Sequence, residues 1–238
     1  MAPSRASVEG PTKSPLPVLL LFLSATTGMI DAVSVLGLGK VFTANMTGNI
    51  VFLGFAATGT QGFAIMPYLI ALAAFVIGAI VAGRMGRDFA PRPLREWLLF
   101  AAAIEIGLLW LAALVAGFSG SGAHLGQGAV FTIIALTALA MGFRNATIRQ
   151  LKVPDLTTTV LTLTITGVAA DSRLAGGTNP NLRRRIAAIL AMFAGAVIGA
   201  FMVTHVGLAP PLALAGFLGM AGTAACARHP LTALPLAL

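Results

Sequence analysis

The stretch Gly28–Gly54, GMIDAVSVLGLGKVFTANMTGNIVFLG, is apolar enough to lie in a membrane, yet it contains several polar side chains. Those side chains are Asp31, Thr43, Asn45, Thr47 and Asn49. In hydrocarbon each of these groups must be hydrogen-bonded inside the protein or must line a wet cavity, because lipid offers no partner. We therefore treat this stretch as the candidate site.

The composition indicates an integral membrane protein. Of the 238 residues 58% are hydrophobic and 9% are charged, whereas a soluble domain would carry roughly 25% charged residues. The net charge of +8 comes from Lys and Arg grouped between apolar runs, as in loops of a bacterial inner-membrane protein. We therefore expect contact with the lipid bilayer and no nucleic-acid partner.

The sequence lacks the residue patterns of common enzyme and metal sites. It has no nucleophile elbow, phosphate-binding loop, His-Glu-x-x-His or Cys-x-x-Cys motif. The single cysteine, Cys226, and three scattered histidines form no ligand cluster. We expect neither an enzyme nor a cofactor.

Two of the apolar runs are too short and too polar for ordinary membrane spans. The runs cover residues 16–38, 41–57, 63–83, 97–118, 128–148, 156–170, 186–206 and 208–226. Crossing a hydrocarbon core of about 30 Å takes about 20 largely apolar residues. The runs 41–57 and 156–170 are the shortest and contain the most Thr and Asn, so they are predicted to be re-entrant half-helices.

Similar motifs recur in the same order in the two halves of the chain. The motif Gly28-Met-Ile-Asp-Ala32 returns as Gly142-Phe-Arg-Asn-Ala146, and Thr43-Ala-Asn-Met-Thr47 as Thr158-Thr-Val-Leu-Thr162. Further on, Val76-Ile-Gly-Ala79 returns as Val197-Ile-Gly-Ala200. The order predicts an internal duplication. The expected parts are a disordered tail 1–15, a first repeat 16–118, a linker 119–127, a second repeat 128–227 and a tail 228–238.

The distribution of positive charge favours six crossings over eight. With eight crossings the 15 Lys and Arg residues divide seven against eight. If the two short runs return to their side of entry, 14 lie on one side and only Lys40 on the other. Since cytoplasmic loops carry the excess of Lys and Arg, both termini should be cytoplasmic. The predicted fold is all-α, with about six transmembrane helices plus two re-entrant hairpins in an inverted 3+3 repeat.

The two hairpins are expected to meet near the membrane midplane, each starting a short helix there. Free N–H groups and the positive ends of two helix dipoles would then face one volume suited to an anion or a polar group. The candidate solute-binding residues are Thr43, Asn45, Thr47, Asn49, Thr158, Thr159, Thr162 and Asn145. In the alternative, these side chains only cap helices and bond their neighbours.

The candidates for ion coupling are Asp31 and Glu105, which lie at membrane depth, and Arg144, which is counted with the loop residues but lies near a helix end. Asp31 either couples a proton or cation or forms a structural ion pair with Arg144, since an acid in a span is costly and functional by default. Glu105 has no cation within one helical turn, so it should face the bundle interior, neutral or partnered from another helix. Its role is either structural or that of a proton relay.

Small residues predict two places of close helix approach. Gly78 and Ala82 lie four residues apart in one run, and Gly195 and Gly199 in its repeat mate. Such pairs let helix backbones come close together. They also allow an oligomer through these faces.

The motifs quoted above resemble those of the YoaK-type bacterial membrane proteins, a domain of unknown function. The resemblance covers residues 20–225 and is most specific at Thr47-Gly48-Asn49. It implies an inner-membrane protein of about this size and no particular substrate. The family pattern has Thr-Gly in the second hairpin, where this sequence has Thr162-Leu163.

The leading hypothesis is a secondary transporter for a small polar or anionic solute bound between the hairpins. One alternative is a passive channel in which the two half-helices define a pore. Another is a membrane scaffold or partner subunit that transports nothing. An acid on the pathway favours coupled transport, whereas buried charges satisfied entirely within the protein favour a scaffold.

Overall fold

The computed structural model describes residues 14–119, 125–151 and 161–234, and these ranges are helical with no strand. Short 3-10 helices occupy Arg173–Ala175 and Pro230–Ala233. The α-helices are α1 (Leu16–Gly37), α2 (Met46–Ala57), α3 (Ile65–Phe89), α4 (Leu94–Phe118), α5 (Gln127–Gln150), α6 (Leu161–Ala170), α7 (Leu182–His205) and α8 (Ala209–Ala227). The all-α prediction is confirmed.

Six of these helices are long and apolar enough to cross a membrane, namely α1, α3, α4, α5, α7 and α8. The helices α2 and α6 have 12 and 10 residues, so they are only about 18 and 15 Å long at 1.5 Å per residue. Over their described lengths, neither reaches across a hydrocarbon core of about 30 Å, and the residues directly before Leu161 lie outside the described ranges. This agrees with the charge count in giving six crossings.

The helices pack in pairs that correspond between the two halves. Helix α1 packs against α7, as α5 packs against α3; α1 also contacts α8, as α5 contacts α4. Helix α4 packs against α8, and the short helices α2 and α6 lie on α3 and α7. Exchanging α1–α4 with α5–α8 converts each of these contacts into another of them, except that of α4 with α8, which it leaves unchanged, and this symmetry supports the duplication. The inverted repeat itself stays a prediction.

Glycines allow the closest of these helix contacts. A Cβ added to Gly78 would overlap the backbone carbonyl of Leu139 in α5, and one added to Gly195 would overlap that of Ala25 in α1. Gly199 meets Met29 of α1 in the same way. These small residues of α3 and α7 therefore pack against spans of the same chain, and the oligomer contact stays a prediction.

The segment that precedes α2 turns sharply and lies beside the segment that follows it. Gly39 and Lys40 have left-handed backbones, with φ of 89° and 60°, a conformation that glycine adopts readily. The Lys40 ammonium then lies 5.3 Å from the ring centroid of Phe63, close to the start of α3. This contact between the two ends of the segment supports the re-entrant path, which remains a prediction.

Candidate functional site

A buried ion pair between α4 and α5 lies in the interior of the bundle. The Arg144 Nε donates to Glu105 Oε2 at 2.9 Å, and its Nη2 donates to Oε1 at 2.5 Å. Arg144 is 2% exposed and Glu105 is 6% exposed. A bidentate arginine–carboxylate pair combines strong hydrogen bonds with a fixed geometry. Glu105 therefore faces the interior with a partner from another helix.

Arg144 also connects α5 to α1. Its Nη1 donates to the hydroxyl of Thr27 at 3.0 Å and to the carbonyl oxygen of Leu23 at 3.3 Å. In α8 the residue facing the pair is Gly219, where an added Cβ would lie 3.3 Å from Glu105 Oε1. One guanidinium thus joins three spans, and a glycine in the fourth leaves room for it.

Asp31 does not form the ion pair with Arg144 that was one of its two predicted roles, and its carboxylate has a different hydrogen-bond partner. Its Oδ1 accepts a hydrogen bond of 3.4 Å from the backbone N–H of Ala44, two residues before α2. Arg144 is near enough to interact electrostatically with Asp31. The guanidinium group nevertheless hydrogen-bonds to Glu105, because both carboxylate oxygens of Glu105 face its nitrogens. Asp31 is 8% exposed.

Asn49 has a structural role in the first hairpin. Its Oδ1 accepts from the Phe42 N–H at 2.9 Å, and its Nδ2 donates to the Phe42 carbonyl at 2.5 Å. Asn49 is fully buried. The side-chain amide therefore satisfies the backbone N–H and carbonyl of Phe42 and holds the entry segment against α2. These bonds agree with the alternative in which the polar side chains bond their neighbours.

The other predicted residues of the first hairpin are less occupied. The hydroxyl of Thr43 is fully buried and has no hydrogen-bond partner among the described residues. Asn45 occupies the N-cap position of α2, yet its side chain makes no capping hydrogen bond. Thr47 points away from the bundle, since it is exposed. Among the described residues, the side chains of Thr43 and Asn45 thus make no hydrogen bond at this helix start.

The second hairpin is only partly described. Thr158 and Thr159 lie outside the described residues, and Thr162 is exposed on α6. Asn145 is half-buried, with its Nδ2 unpaired among the described residues. Its side chain and that of Asp31 come from corresponding positions of α5 and α1.

The described parts of the two hairpins do not form the shared cavity expected from the sequence. Helix α2 packs on α3 and α6 packs on α7, and the two short helices do not pack extensively against each other. The only buried residues of α2 are Asn49 and Ala56, and the only one of α6 is Thr164. Both helices therefore lie at the edge of the bundle, because the closely packed longer spans fill its centre.

A small cavity of about 30 Å³ borders the ion pair, which is room for roughly one water molecule. Its wall includes the charged groups of Glu105 and Arg144 and the hydroxyl residues Thr147 and Thr223. Leu151, at the end of α5, also lines it, so the cavity lies on the arginine-rich side of the pair.

Two features of the interior were missed in the sequence. A buried polar stripe runs along α1 through Ser24, Thr27, Asp31 and Ser34, and its spacing of three and four residues could have revealed it. On the second hairpin, Arg185 donates to the carbonyl of Gly167 at 2.6 Å and to Asp171 at 2.7 Å. No sequence pattern pointed to that contact, since it depends on how α6 folds back onto α7.

Comparison with known proteins agrees with the membrane architecture. The family described as "Protein of unknown function (DUF1275)" matches residues 19–225. The UPF0700 transmembrane protein YoaK of Bacillus subtilis (strain 168) is 32% identical over 154 residues, which are 64% of this chain and 65% of that protein. The alignment thus spans slightly less than two thirds of the relative.

With its six long apolar helices and a transmembrane relative, the chain is a multi-pass membrane protein. The family match extends over most of its length and includes both quoted motifs, Gly28–Ala32 and Gly142–Ala146. The chain therefore belongs to the DUF1275 family of proteins of unknown function.

Proposed function

We propose that this protein is a secondary transporter for a small polar or anionic solute rather than an enzyme, and that Asp31 couples transport to a proton or another cation. We further propose that it lies in the bacterial inner membrane with both termini in the cytoplasm, as the arginine distribution favours.

The observation that carries the proposal is the presence of three charged side chains from three spans in the bundle interior. Asp31, Glu105 and Arg144 are each less than 10% exposed. Charges at membrane depth are costly, and where they persist they mark ion and substrate pathways. Two carboxylates around one guanidinium leave one negative charge in excess, which a proton or cation could neutralise.

The start of α2 is the best-supported place for the solute. Asp31 bonds the backbone just before this helix, so the coupling group and the helix start are in direct contact. The unpaired Thr43 hydroxyl and the uncommitted Asn45 amide lie on either side of that bond. Helix N-termini also offer free N–H donors. The contribution of the second hairpin, whose start lies outside the described residues, remains part of the proposal.

The proposal can be tested in two stages. Purified protein is first screened by thermal shift against anions and small metabolites, and hits are then assayed in proteoliposomes. A transported solute should stabilise wild type, and Asn45→Ala should weaken that stabilisation at least tenfold in apparent Kd. Asp31→Asn should still bind the solute but lose the pH dependence of uptake.

Each variant has an outcome that contradicts the proposal. Uptake by Asp31→Asn that matches wild type in rate and pH dependence would remove the coupling role. Equal solute affinity in wild type and Asn45→Ala would remove the site at α2. The exposed neighbour Thr47→Ala is the matched control and should behave as wild type.

A second candidate, a scaffold or partner subunit without transport, is favoured by one observation. The cavity beside Glu105 and Arg144 is only about 30 Å³, and both residues satisfy each other. On this alternative no solute in the screen binds, and Asp31→Asn leaves every measured property except stability unchanged.

A further inference from the structure

We propose that the outward face of α3 near its C-terminal end is a binding site for an anionic phospholipid of the cytoplasmic leaflet. The proposal concerns a surface of α3 that does not include Asp31; it does not rest on transport, but it rests on the proposed orientation with both termini in the cytoplasm.

The face is a shallow, open groove of about 580 Å³ lined by residues of α3 alone, with an apolar part and a cationic end. The apolar part is formed by Phe75, Val76, Ala79 and Ile80, and the cationic end by Arg84 and Arg87 beyond Gly83. Val76 and Ile80 are 52% and 54% exposed. The order along the helix, apolar and then doubly cationic, matches that of an acyl chain followed by a phosphate headgroup.

The two arginines lie at the depth of the headgroups. Arg84 is 19 residues after Ile65, and Arg87 is 22 residues after it, which places them about 29 and 33 Å along the helix axis. The hydrocarbon core is about 30 Å thick. With α3 starting at the outer boundary, both guanidiniums reach the cytoplasmic interface, where anionic lipids give a negative surface potential.

Arg87 is already oriented along the groove. Its Nε donates to the carbonyl of Gly83 at 3.2 Å, and a Cβ added to Gly83 would have nothing within 4 Å. The bond holds the side chain over the open helix surface while the two terminal nitrogens remain available. Planar guanidinium groups bind phosphate oxygens through paired hydrogen bonds.

Two other surfaces of the described residues lack this combination. A groove of equal volume between α4 and α8, lined by Trp110, Phe118 and Pro210 among others, contains no charged residue. On α7, the position corresponding to Arg84 is His205, at the opposite end of the bundle. Its ring stacks on Phe201 at 4.3 Å, and its Nδ1 lies 2.8 Å from the Phe201 carbonyl oxygen. An apolar groove with free arginines therefore occurs on the cytoplasmic side of α3.

The test measures lipid preference by native mass spectrometry of delipidated protein with equal amounts of dioleoyl phosphatidylglycerol and dioleoyl phosphatidylcholine. Wild type should retain phosphatidylglycerol at least fivefold over phosphatidylcholine. Arg84→Gln/Arg87→Gln should reduce the ratio to near one, and Arg84→Lys/Arg87→Lys should give an intermediate ratio, because lysine keeps the charge but not the paired hydrogen bonds. Ile80→Asn should weaken retention without any loss of charge.

The matched control is Arg173→Gln/Arg228→Gln, which removes the same two charges from exposed positions outside the groove. It should keep the wild-type preference. An equal fall in both double variants would show general electrostatic attraction and would overturn the site, as would a wild-type ratio near one. Thermal unfolding of each variant confirms that it is folded.

Discussion

Gly28 and Gly142 begin the same five-residue pattern in the two halves, and each lies against the backbone of a helix from the other half. A Cβ at Gly28 would overlap the carbonyl of Met192 in α7, and one at Gly142 would overlap that of Phe75 in α3. Three residues later the halves differ. Asp31 bonds its own hairpin at Ala44, whereas Arg144, just before Asn145, crosses to Glu105. The close helix contacts at these glycines are therefore similar in the two halves, whereas the charged side chains and their partners differ.

The largest effect on stability is expected from a substitution that breaks the ion pair between Arg144 and Glu105. Arg144→Met should destabilise the protein by about 3–5 kcal/mol, because it leaves the Glu105 carboxylate buried without its partner. The measurement is equilibrium unfolding by dodecyl sulfate in mixed micelles.

The matched control for that effect is the double variant Arg144→Met/Glu105→Met. Replacing a whole buried pair by apolar side chains is often close to neutral, so most of the lost stability should return. A cost below about 1 kcal/mol for Arg144→Met alone would contradict the assignment of this pair as the link between the spans.

The close helix packing that the two halves share can be tested by adding a methyl group at one glycine of each half. Gly28→Ala and Gly142→Ala should each cost about 3 kcal/mol, since an added Cβ overlaps backbone that cannot move cheaply. The two costs should be similar if the halves pack alike. Gly107→Ala in α4 is the control, because its Cβ would meet no atom within 4 Å; it should be neutral or stabilising by up to about 1 kcal/mol. Unequal costs in the same unfolding assay would refute equivalent packing.

A smaller effect is expected where the hairpins differ. Asn49 and Thr164 are the buried polar residues of α2 and α6, and they are separated by the same 115 positions as Thr43 and Thr158. Asn49→Thr, which introduces the residue of the second half, should cost about 2 kcal/mol because the Phe42 N–H and carbonyl lose their partners.

The exposed Thr47→Ala should change stability by less than about 0.5 kcal/mol. If Asn49→Thr were equally harmless in thermal unfolding, the amide of Asn49 would not be what holds the hairpin.

Parts of the candidate site could be predicted from the sequence and parts could not. Acidic residues inside apolar runs identified Asp31 and Glu105 as charges at membrane depth, since such residues stand out against their neighbours, whereas the sequence assigns Arg144 to a loop near a helix end. Their pairing could not be read in this way. The ion pair joins residues 39 positions apart on different helices, and which carboxylate meets the guanidinium depends on how α4 and α5 rotate against each other.

Composition, run length and the distribution of arginine by themselves determined that the chain is a membrane protein with six long spans and two shorter helices. These properties depend on the transfer of side chains and peptide groups into lipid, which acts on each segment separately. Only the tertiary structure decided that Asn49 hydrogen-bonds to the backbone of Phe42, that α2 packs on α3 and α6 on α7, and that Arg144 binds Glu105. Such contacts depend on distances of a few ångströms between helices, and close packing around glycines fixes those distances.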